Sequence, residues 1–107
     1  NETIINLLIG HGAEVNKENQ FGNTPLIIAC NKGNQNTVKI LLDHGADVNK
    51  ENRYGNTPLM IACEKGNDAI IIYLVNHGAK INKENKKGET PITLVQKNNF
   101  HHIVKFL

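Results

Sequence analysis

Histidine and cysteine are the side chains here best suited to chemistry, and both recur at a fixed interval. His11, His44 and His77 stand 33 residues apart, as do Cys30 and Cys63. Imidazole and thiolate are common zinc ligands, and a thiolate beside a base is a nucleophile. His101 and His102 are adjacent, and Glu18, Glu51 and Glu84 repeat with the same period of 33. Carboxylates of that kind serve as acids, bases or metal ligands when they converge on one pocket.

Convergence depends on the elements that carry these groups. The tetrapeptide NKEN begins at Asn16, Asn49 and Asn82, and residues 16–48 align with 49–81 without a gap, more than half of the positions being identical. A third, more divergent copy fills 82–107, and the opening NETIINLLIGHGAEV matches only the second half of a unit. A period of this length is the mark of a stacked repeat array.

Each unit reads as turn, helix, turn, helix. Thr24-Pro25, Thr57-Pro58 and Thr90-Pro91 place a hydroxyl at the N-cap and a proline at the first helical position, where a missing N–H costs nothing. Gly33 and Gly66, each followed by Asn, are expected to end that helix, since both residue types tolerate positive φ. A second apolar stretch follows, for instance Val38, Ile40, Leu41 and Leu42, and HGA closes it at Gly45 and Gly78. NKENRYGN then holds Asx-type turn formers around Gly55, as in a hairpin-like projection between units.

Stacked helices lie about 8–10 Å apart, and that spacing argues against convergence. Equivalent histidines cannot share a zinc ion that holds nitrogens at about 2.0–2.1 Å. Equivalent cysteines exceed the Cα separation of about 7 Å that a disulfide allows. The histidines are expected beside helix C-termini, where a partial positive charge is favourable, and the cysteines as small buried apolar thiols. His101 and His102 lack companion ligands at suitable spacing, so no metal or other cofactor is expected. The chain has no serine, its glycines are too scattered for a phosphate loop, and the recurrent glutamates behave as a solvated edge. Enzymatic activity is not expected.

With 107 residues, 12 basic against 10 acidic side chains and a net charge of +2, the composition fits one domain without a strong polyanion preference. Lys83, Lys86 and Lys87 cluster, but Glu84 and Glu89 interrupt them, which fits a solubilising face better than a nucleic-acid stripe. No apolar run approaches a membrane span and no signal peptide is recognisable. Neither nucleic acid nor membrane is expected as a partner. The implied setting is intracellular, in the cytoplasm, where free thiols persist.

GNTPLIIAC, GNTPLMIAC and GETPITLVQ, together with HGAEV, DHGADV and NHGAKI, closely resemble the ankyrin repeat. The resemblance covers essentially the whole chain. It implies an all-α repeat protein, an ankyrin-type solenoid of stacked helix-turn-helix units with projecting β-hairpin loops, used to bind other proteins. One repeat domain over 1–107 is expected, with a partial repeat at 1–15, repeats at 16–48 and 49–81, and a cap-like C-terminal repeat at 82–107. Ile4, Ile5, Leu7, Leu8 and Ile9 then lack part of their cover.

The departures from the family pattern are informative. The usual histidine after TPL is replaced by Ile27, Met60 and Thr93, so packing is expected where the family uses polarity. Gln96 stands where Cys30 and Cys63 stood, as on a face that no further unit covers. Asn16, Asn49 and Asn82 resemble an asparagine that is hydroxylated in some ankyrin arrays, Asn49 being the best match.

Identity between units marks scaffold, so recognition is expected where units differ. The tip positions are Gln20, Phe21, Asn23, Arg53, Tyr54, Asn56, Lys86, Lys87 and Glu89. The resemblance adds Asn31, Lys32, Glu64 and Lys65, with Lys97 and Asn98, near the end of the inner helix. A monomer that binds a protein or peptide through these residues is expected; the alternative is an architectural spacer with no partner of its own.

Overall fold

The computed structural model describes residues 15–107. The expected partial repeat, with His11 and the apolar residues from Ile4 to Ile9, lies outside them. Five α-helices follow in chain order: α1 Pro25–Lys32, α2 Gln35–Asp43, α3 Pro58–Lys65, α4 Asp68–Asn76 and α5 Pro91–Lys97. A 3-10 helix over His101–Phe106 completes the order.

Local chemistry sets these boundaries. The hydroxyls of Thr24, Thr57 and Thr90 each accept from the backbone N–H three residues on, at 3.3 Å, with proline directly after. Gly33 and Gly66 end α1 and α3 in the left-handed region, at φ 69° and 70°. The asparagines after them have a different job from the expected one. Asn34 and Asn67 stay extended, at φ −88° and −87°, and their side chains cap α2 and α4 by accepting from Thr37 and Ile70 N–H, both at 3.1 Å.

In the third unit Asn99 takes the glycine conformation at φ 63°, which asparagine tolerates. Phe100 then occupies the capping place without a side-chain oxygen. An uncapped start leaves the first N–H groups unsatisfied, and the segment winds as a 3-10 helix instead of the expected α-helix.

Helices α1, α3 and α5 lie side by side in one layer, and α2, α4 and the 3-10 helix in a second. Between them sit Leu26, Cys30, Val38, Leu41, Leu59, Met60, Cys63, Ile71, Leu74, Val95 and Ile103, all almost fully buried. Ile27 and Met60 are buried where the family has histidine, while Thr93 is exposed and joins Thr90 in a reciprocal capping box. Gln96 is exposed as well. Thr24, Thr37, Asn52 and Thr57 are buried polar side chains, and among the described residues Thr37, only 3% exposed, is the one whose hydroxyl finds no hydrogen-bond partner. Leaving such a group unsatisfied costs about 1–3 kcal/mol. Thr37→Val is therefore expected to raise stability by about 1 kcal/mol, read as a higher urea midpoint at unchanged m value.

No β-strand forms among the described residues, so the expected β-hairpins are tight turns instead. The cause is the last asparagine of each NKEN. Its Oδ1 accepts from two backbone N–H groups of its own turn: Phe21 and Asn23 for Asn19, Tyr54 and Asn56 for Asn52, Lys87 and Glu89 for Asn85. Donors used this way cannot build a strand ladder. One backbone bond per step links the turns, Arg53 N–H to Phe21 C=O and Lys86 N–H to Tyr54 C=O, both at 3.1 Å.

NKEN also joins one unit to the next. Asn16 Oδ1 accepts from Asp47 N–H at 2.7 Å, and Asn49 Oδ1 accepts from Lys80 N–H at 2.8 Å. Asn52 Nδ2 donates to Asn23 Oδ1 and Asn85 Nδ2 to Asn56 Oδ1, each at 2.9 Å. Lys50 pairs with Glu18 at 2.9 Å and Lys83 with Glu51 at 2.8 Å. Equivalent charges a helix spacing apart are expected to interact weakly, but the offset of one residue places opposite charges in contact. Being partly exposed, each pair contributes about 0.2–1 kcal/mol.

Candidate functional site

A cleft of about 330 Å³ opens where the second turn meets the third unit. Its lining draws Tyr54 and Asn56 from one turn, Asn85, Lys86, Lys87 and Glu89 from the next, Glu64 from α3, and Leu94, Lys97 and Asn98 from α5 and its C-cap. The asparagine network positions these groups. Asn52 and Asn85 shape the two turns, so Tyr54 and Lys86–Lys87 stand at fixed height above the helix ends.

Of the residues expected from sequence, Tyr54, Asn56, Glu64, Lys86, Lys87, Glu89, Lys97 and Asn98 come together here. Gln20, Phe21, Asn23, Asn31, Lys32, Arg53 and Lys65 lie outside this lining. Gln20 and Arg53 are exposed on their turns, and Asn31, Lys32 and Lys65 are exposed at the ends of α1 and α3. Asn23 and Asn56 use their side-chain oxygens as acceptors between units, so their amide nitrogens are the groups left for a ligand. Tyr54 is 58% exposed and Phe21 47%, so neither ring is absorbed by its own turn. Asn85 and Leu94 were not among the expected residues. Asn85 is identical to Asn19 and Asn52 and carries no variation signal, while Leu94 reads as core.

Glu89 is the electrostatic anchor of the cleft. Its carboxylate accepts from Asn85 Nδ2 at 2.9 Å and from Lys97 Nζ at 3.1 Å. The Asn85 hydrogen bond, then Lys97, holds its pKa below the usual glutamate value. A depressed folded pKa contributes stability above the unfolded pKa of about 4.3, lost as pH falls through the folded value. Acid unfolding followed by circular dichroism should therefore be less steep below pH about 4.3 in Glu89→Gln than in the parent chain.

Several other reactive groups of the described residues have structural roles. His44 and His77 are C-caps of α2 and α4, with Nδ1 2.8 Å from the Ile40 and Tyr73 carbonyls. Cys30 and Cys63 are free and buried, and burial pushes each thiol up to about 12. At neutral pH they are protonated and poor nucleophiles. His102 Nε2 lies 3.1 Å from Asp68 Oδ1, tying the 3-10 helix to the start of α4. Among the described residues no three His, Cys, Asp or Glu side chains are placed to hold a metal ion, and no helix is long and apolar enough to cross a membrane.

Paired helices with Thr-Pro starts and glycine stops, stacked through the turns before them, form a repeating unit, and residues 1–85 match the family model for ankyrin repeats in three copies. The chain belongs to the ankyrin repeat family. Ankyrin repeats are in general non-catalytic modules of protein interaction, and this chain is an all-α repeat protein. No curated protein matches it significantly. The cleft, lined from Tyr54 to Asn98, spans the end of the matched region.

Proposed function

We propose that this ankyrin chain is a protein-binding module whose partner lies across the turn tips and into the cleft bounded by Tyr54, Lys86, Lys87 and the end of α5. The supporting observation is a division of labour. The NKEN residues that repeat identically hold the units together, whereas the residues that differ, Arg53-Tyr54 and Lys86-Lys87, are exposed at the cleft or beside it. Tyr54 supplies a rigid aromatic surface with a polar tip, the chemistry most often found at interface hot spots. Buried free thiols favour a reducing compartment such as the cytoplasm.

Selection of displayed random peptides on the immobilised chain tests this reading. Enriched peptides should lose at least about tenfold in affinity for Tyr54→Ala, corresponding to about 1.4 kcal/mol or more, with an unchanged melting temperature. The competing reading is an architectural spacer, favoured by the density of bonds between units. Under it no peptide is enriched over a chain with Tyr54, Lys86 and Lys87 replaced.

A further inference from the structure

The positive side chains of the described residues fall into two groups. Lys50, Lys83 and Lys97 are neutralised in ion pairs with Glu18, Glu51 and Glu89. The other nine are exposed and take part in no ion pair among the described residues; Arg53, Lys65, Lys86 and Lys87 of these gather at neighbouring turn tips and the end of α3, while Lys17, Lys32, Lys39, Lys80 and Lys105 are scattered elsewhere. The fifteen expected contact residues hold six basic and two acidic side chains out of the chain's 12 and 10. That surface is therefore net +4, while the rest of the chain is net −2.

Resting on the protein-binding reading, we infer that the occupant of the cleft is an acidic peptide segment. Its carboxylates face the ammonium groups of Lys86 and Lys87, and an apolar side chain rests against Tyr54 and Leu94. Charge complementarity of this kind steers encounter and fixes register. One feature favours a peptide over nucleic acid. Tyr54 is the one aromatic ring in the lining, where a bound strand needs successive stacking platforms.

Fluorescence anisotropy on the full chain tests the inference, with four labelled probes of equal length. These are a peptide of Asp, Glu and Leu, its counterpart with Asn and Gln, its counterpart with Lys, and a single-stranded oligonucleotide. The acidic peptide should bind at least tenfold more tightly than the amide and Lys counterparts and weaken as salt rises. Lys86→Glu combined with Lys87→Glu should lower that affinity at least tenfold. Lys80→Glu, at an exposed position that lines neither cleft nor tip, should leave it unchanged. Circular dichroism of both variants should match the parent.

Equal binding of the amide peptide, still dependent on Tyr54, overturns the acidic occupant and leaves the protein-binding reading standing. Oligonucleotide binding as tight as that of the acidic peptide overturns it in favour of a general polyanion site. Binding by none of the probes also overturns it, and the random-peptide selection then decides the broader reading independently.

Discussion

Leu59→Ala should cost about 2–5 kcal/mol of unfolding free energy, while Ile92→Ala should stay within about 0.5 kcal/mol. The two residues hold the same place in successive units, directly after Thr-Pro. Leu59 is 0% exposed, on α3 between α1 and α5, and Ile92 is 37% exposed on α5. Truncating Leu59 removes buried apolar surface and leaves a cavity that neighbouring helices fill only in part. Truncating Ile92 leaves no void, because solvent already reaches the site, and alanine is the better helix former. Urea unfolding of both variants makes the comparison directly. Equal losses would show that the outer face of α5 is covered in solution.

Gly66→Ala should destabilise the chain by about 2–4 kcal/mol, against about 1–2 kcal/mol for Gly33→Ala. Both glycines end a first helix at nearly the same positive φ, where a Cβ strains the backbone. They differ in what that Cβ would meet. At Gly33 the nearest atom is Asn67 Nδ2 at 3.5 Å, an ordinary contact. At Gly66 it would lie 2.8 Å from Cε2 and Cζ of Phe100, closer than two carbons can approach. The ring must move, and it is part of the packing that seats the 3-10 helix on α4. In a double-mutant cycle Phe100→Ala should remove the excess penalty at Gly66 and leave Gly33→Ala unaffected. An additive cycle would mean that the ring does not press on Gly66.

The helix boundaries were legible in the sequence because their causes are local. Thr-Pro at the start and Gly33 or Gly66 at the stop act over three or four residues, and Asn99 could replace glycine because asparagine tolerates the same backbone region. The period of 33 placed the units, and the TPL and HGA motifs carried the family resemblance. The fate of the second segment in the third unit was less legible. Phe100 marks a missing cap, yet apolar periodicity alone favours an α-helix there.

The candidate site was legible in part. Variation between units pointed to Tyr54, Lys86, Lys87 and Glu64, because identical residues serve the stacking common to all units. It could not separate these from Gln20, Phe21 and Arg53, which vary equally but lie outside the cleft lining. Asn23, Asn56 and Glu89 also vary or recur without revealing that their oxygens are already engaged. Those engagements join residues 29 apart in the chain for the two asparagines, a range at which no turn or cap signal operates.

The sequence by itself determined the repeat, its family and the starts and stops of its helices. Only the tertiary structure decided what the repeated residues do to each other. It turned the NKEN tetrapeptide into a strip of bonds between units, buried Leu59 while leaving Ile92 in solvent, and opened the cleft beneath Tyr54. The physical reason is that capping and turn formation depend on residues close along the chain. Burial, ion pairing and cleft shape depend on which unit stands beside which, and the repeat pattern makes equivalent positions look the same until they are stacked.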